Sequence, residues 1–162
     1  GAAGVAGTNG TNGTNGTNGT NGTNGTNGNA NVMVFNFGSV TLTAAAPSAS
    51  FSLPTSITKN IIDSGLVLFY YKEPNACGGP NAWYPSPGLG CGGNFMMRNN
   101  INVGGIPVTV GFTMANPNGS AWSGANFLIS DIKVIVAPAH MRTANPNVNW
   151  SDYIQVSNTL NL

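Results

Sequence analysis

Residues 108–114 read VTVGFTM. Val108, Val110, Phe112 and Met114 alternate with Thr109, Gly111 and Thr113. A period of two puts the four apolar side chains on one face of an extended strand and the small or polar ones on the other. The same pattern recurs on both sides of this stretch. Phe51 and Leu53 alternate with Ser50 and Ser52, and Val40 and Leu42 with Thr41 and Thr43. Val32 to Phe37 is a short apolar run. Leu66 to Tyr71 is apolar at every position, which predicts a central strand covered on both faces. Phe127 to Val136 predicts one or two further strands, with Lys133 turned outward. Ser56 to Ser64 has room for one helical turn ending at Gly65. Clusters of Pro, Gly and Asn separate the runs, so residues 29–162 read as an all-β head of the β-sandwich or jelly-roll kind.

Ahead of the head lies a repeat. Glycine occupies Gly1, Gly4, Gly7, Gly10, Gly13, Gly16, Gly19, Gly22, Gly25 and Gly28, and from Thr8 the triplet Thr-Asn-Gly runs seven times without error. A flexible Gly-rich linker has no need of a strict period. A collagen-type triple helix does, because only glycine fits its crowded axis. Another bundle of extended chains with glycine at every third place is the remaining alternative. Residues 1–28 are therefore expected to form a collagen-like stem, spanning roughly 85 Å when extended. These glycines would sit on its axis. No proline falls in the repeat. Proline fixes φ in advance, so a stem without it loses more entropy on ordering, about 1–2 kcal/mol per residue of backbone freedom. Such a stem needs support from a head that sets three chains in register, from sugars, or from lateral packing.

Each outward threonine (Thr8, Thr11, Thr14, Thr17, Thr20, Thr23 and Thr26) is a candidate for glycosylation. Asn-Gly-Thr also formally makes a sequon at Asn9, Asn12, Asn15, Asn18, Asn21 and Asn24, and further sequons fall at Asn118 and Asn149 in the head. The repeat unit generates the asparagine motif of itself, so threonine is the expected site.

Composition excludes several roles. Charged residues make up 6% of the chain, with Lys plus Arg numbering 5 and Asp plus Glu 4. Five scattered cations cannot track a phosphate backbone, so nucleic acid is not an expected partner. No apolar run is long enough to span a membrane. A net charge of +1 leaves little repulsion between copies, and self-association is expected.

Cys77 and Cys91 enclose a Gly/Pro-rich loop. Their even count and setting predict a disulfide in an oxidising compartment; two unpaired thiols in a reducing one is the alternative. A metal site would need further ligands, and the one histidine, His140, is remote in sequence. Neither a metal nor a cofactor is expected. No nucleophile elbow is present, and Asp63, Glu73, Asp131 and Asp152 are widely separated. Asp63 and Asp152 read as turn or capping residues. No catalytic activity is expected. The better candidates for contact with a ligand or a neighbouring subunit are Trp83 and Tyr84, inside the cysteine-bounded segment, and Trp122, in a Gly/Ser-rich loop. The alternative is that each ring covers its own loop.

The junction GNANV at Gly28 to Val32 resembles the end of the repeat in bacterial collagen-like surface proteins. So does the order that follows: ITKNIIDSGLVLFYYK, then WYPSP, IKVIVAP and WSDYIQVSNTLNL. The resemblance covers the head nearly end to end. It implies a secreted or cell-surface location, a repeat stem and an all-β C-terminal domain, with no catalytic residues. The expectation is a structural subunit of an extracellular fibre, assembling as homotrimers and polymerising head to tail. The alternative is an adhesin whose receptor- or glycan-binding tip is displayed on a stalk.

Overall fold

The computed structural model describes residues 1–4, 31–74, 79 and 82–162. The repeat from residue 5 onward, with Gly7 through Gly28 and the threonines Thr8 through Thr26, lies outside the described residues, as does Cys77. Gly1 and Gly4 are exposed and belong to no regular element.

The described residues are mostly β-sheet, as the alternating runs predict, with few helices. The strands are β1 (Met33–Asn36), β2 (Val40–Leu42), β3 (Ser48–Ser52), β4 (Gly65–Lys72), β5 (Trp83–Ser86), β6 (Gly88–Leu89), β7 (Met96–Asn102), β8 (Thr109–Ala115), β9 (Phe127–Ile129) and β10 (Asp131–Pro138). The helices are α1 (Lys59–Asp63), α2 (His140–Ala144) and α3 (Tyr153–Leu160). One sheet has the order β1-β10-β4-β5 and the other β3-β8-β7-β6, with every pairing antiparallel. A short β2-β9 pair prolongs the β1-β10 ladder past Gly38, whose φ of +67° makes the bend that a side chain would resist.

The two sheets face each other across one core. Phe69, Tyr71, Ile132, Val134 and Val136 enter it from one sheet; Met97, Val110, Phe112 and Met114 enter from the other. Phe69 and Phe112 meet edge to face across the gap, with ring centroids 5.5 Å apart. Alternation decides these directions: Thr109, Gly111 and Thr113 turn away, pairing with Ser52, Ser50 and Ser48 and with Asn102, Asn100 and Arg98 on the outer face. That face is almost wholly polar. Gly111 leaves room there for Asn100, whose Oδ1 would sit 2.2 Å from an added Cβ.

The other sheet is covered outside as well. Tyr70, Ile135 and Ala137 pack with Met141, Val156 and Leu160 of α2 and α3 in a second core. The unbroken apolar run of β4 is explained by this second layer. The same layer corrects the reading of Lys133. It does lie on the outer face, but α3 covers that face, and Lys133 is half-buried with its ammonium 4.6 Å from the rings of both Trp83 and Tyr153. Period-two alternation cannot reveal a helix laid over a strand.

α1 runs directly into β4. Ser64 caps it with N–H bonds to Asn60 and Ile62 carbonyls, and Gly65 opens the strand, as its place after the predicted turn implied. A Cβ on Gly65 would approach the Ile61 carbonyl oxygen to 2.6 Å, so this tight junction requires glycine. No helix among the described residues is long and apolar enough to cross a membrane.

Candidate functional site

The register fixes which residues share each end of the sandwich. The chain enters the head at Asn31, beside Met33. Met33 pairs with Val136, and Pro138 pairs with Gly65. At the other end of the same sheet, Asp131 pairs with Lys72, and the chain continues into Glu73. Glu73 therefore stands at the end of the head remote from Asn31.

At the Asn31 end a largely apolar groove of about 540 Å³ lies between α1 and β10, lined by residues including Met33, Ile61, Val136, Pro138 and His140. His140 is exposed at the start of α2, with no acid among the groove's lining residues.

At the far end a pocket of about 360 Å³ is lined by Glu73, Cys91, Asn94, Phe95, Trp122, Ala125, Asn126 and Phe127. Glu73 continues the inward series Phe69, Tyr71, and its side chain is 5% exposed. Among the described residues it accepts one hydrogen bond, from the Cys91 backbone N–H at 3.3 Å. A carboxylate can accept about four, and burying one without donors is costly. Burial accordingly pushes the Glu73 carboxyl above its ordinary range, against the smaller lowering effect of the Cys91 N–H. The neighbouring Tyr71 hydroxyl is fully buried and has no hydrogen-bond partner among the described residues. Burial, with the nearby charge of Glu73 and then Tyr84, raises its pKa well above the usual phenol value.

The rings of this pocket are held in place. Phe95 lies over Gly90, where an added Cβ would come within 2.0 Å of the ring. Trp122 lies over Gly124, at 2.3 Å by the same measure, and its Nε1–H donates to the Ala125 carbonyl at 3.1 Å. Phe95 meets Phe127 at 4.5 Å and Trp122 at 6.4 Å between centroids. Phe95 is buried, while Trp122 and Phe127 each keep part of their surface open.

The sequence-predicted contact residues are not brought together. Trp122 is in the far-end pocket. Trp83 and Tyr84 lie on β5 rather than in a loop, and they point to opposite faces. Tyr84 faces the inner core, 5.8 Å from Tyr71. Trp83 faces α3, with Tyr153 at 5.0 Å and the ammonium groups of Lys72 and Lys133 at 4.7 and 4.6 Å from its ring. All three rings are half-buried and packed against their own chain.

Cys91 is disulfide-bonded, and the sequence holds one other cysteine, Cys77. Asp152 caps α3, accepting from the Ile154 N–H at 2.9 Å and the Gln155 N–H at 3.3 Å, as its sequence setting suggested. A bond from the Gln155 side-chain amide at 3.0 Å, and then these backbone bonds, hold its carboxyl below the ordinary range. Asp63 instead closes α1 as an ion-pair partner of Lys59. Among the described residues no three His, Cys, Asp or Glu side chains come together to hold a metal ion.

Glu73 was legible only as an isolated acid. Its place in the inward series was the available signal, since a charged residue on a core-facing register demands a partner. No protein-family model matches the chain, and neither a curated protein nor a solved structure does.

Proposed function

We propose that this chain is a structural subunit of an extracellular or cell-surface fibre, akin to bacterial collagen-like surface proteins. In this reading residues 1–28 form a collagen-like stem, the β-sandwich head trimerises, and trimers join head to tail. The observation that carries it is glycine at ten successive third positions. Three others support it. The chain enters the head at one end, beside an apolar groove that a neighbouring copy could cover. The 6% charged fraction leaves little to keep copies apart. The disulfide at Cys91 suits an oxidising compartment. Circular dichroism of the intact chain tests the stem. A triple-helical signal that melts cooperatively, and melts lower in Gly16→Ala, is expected. A coil signal unchanged by that substitution would refute the reading.

A further inference from the structure

We propose that the pocket beside Glu73 is a carbohydrate subsite that seats one pyranose ring of a glycan. Its volume of about 360 Å³ is at the lower end of the range for small-molecule sites. It combines the two kinds of surface that a sugar ring presents. Trp122 and Phe127 offer apolar ring surface for the C–H face of the sugar. Among the described residues the Cys91 N–H is the one donor to the Glu73 carboxylate, which leaves acceptor capacity that hydroxyl donors would fill. Asn94 and Asn126 stand exposed on the rim. An amide both donates and accepts, and so does a hydroxyl. An ammonium ion has donors only, so it would use the carboxylate and the amide carbonyls but leave the amide N–H groups without acceptors; the mixed donors and acceptors favour a neutral polyol. The glycines beneath Phe95 and Trp122 make room for the rings, and the Trp122 bond to Ala125 and the Phe95–Phe127 contact hold them before any ligand arrives, which lowers the ordering cost of binding. The site is built within one head, so it does not depend on trimers or filaments. It also lies at the end away from Asn31, where a displayed head would meet other surfaces.

The test is a titration of the ¹⁵N-labelled full chain with a panel of methyl pyranosides of glucose, galactose, mannose and N-acetylglucosamine. The Trp122 indole N–H and the Cys91 amide are followed. At least one sugar should shift both saturably, and Glu73→Gln should weaken its affinity roughly tenfold, the scale of a charged hydrogen bond. Asn126→Ala, at an exposed position, should weaken it several-fold without lowering Tm; it carries the test if Glu73→Gln fails to fold. No saturable shift with any sugar would overturn the proposal. So would tetramethylammonium producing the shifts where the sugars do not, or full affinity retained in Asn126→Ala.

Discussion

Two acids of opposite character show how environment sets a residue's part. Glu73 is raised by burial, so between the ordinary carboxyl value of 4.5 and its native one the folded state binds the extra proton. Its contribution to stability therefore falls as pH rises through that window. Differential scanning calorimetry should show Glu73→Gln removing this decline and becoming relatively more stable toward neutral pH; parallel wild-type and variant curves would contradict it. Asp152 is the reverse case. Its carboxyl is lowered, so its contribution is lost only as pH falls through the native value, below the usual range. Asp152→Ala should cost about 1 kcal/mol, the worth of an N-cap, while Asp152→Asn should keep most of it. Equal losses in both variants would show that the cap bonds are not the cause. Asp152 was recognisable because capping is local chemistry, written in the residues that immediately follow. Glu73 was not, because Cys91, Phe95 and Trp122 reach it only through the fold.

At the level of elements, the strands that read clearly are those whose two faces differ. β8 has its apolar set at alternate positions, and β4 is apolar throughout because α2 and α3 cover its outer side. β7 escaped notice. Its outer residues are Arg98, Asn100 and Asn102, and even an inward position is Asn99, which accepts a hydrogen bond from Ser86 Oγ at 3.2 Å. Its strand identity comes from pairing with β8 on one side and β6 on the other, and pairing is not a property of a single run. α3 was equally hidden, since an eight-residue helix buries only Val156 and Leu160. Its attachment rests largely on Tyr153, packed against Tyr70 at 5.2 Å and Trp83 at 5.0 Å and covered by the Lys133 ammonium. Tyr153→Ala should destabilise the head by about 2 kcal/mol and increase hydrogen exchange first in α3; protection that stays unchanged in α3 would refute this clamp. The α1–β4 junction is stricter still. Gly65→Ala places a Cβ against main-chain oxygen that cannot turn aside, so the loss should reach about 1–3 kcal/mol. A Tm equal to wild type would mean that the junction relaxes freely.

In the whole molecule, a repeat without the apolar side chains of a core precedes a head with two cores and grooves at opposite ends. In the proposed fibre, a contact between the stem of one subunit set and the head of the next would not close, and so would propagate. Removing residues 1–28 should abolish filaments seen by negative-stain microscopy while leaving a folded head; filaments that persist would exclude the stem from the contact. The most direct measurement concerns the step before polymerisation. Sedimentation equilibrium of the intact chain, at concentrations below filament formation, should give three times the chain mass, because three strands are what the glycine period accommodates. A single chain mass across the accessible concentration range would contradict the account.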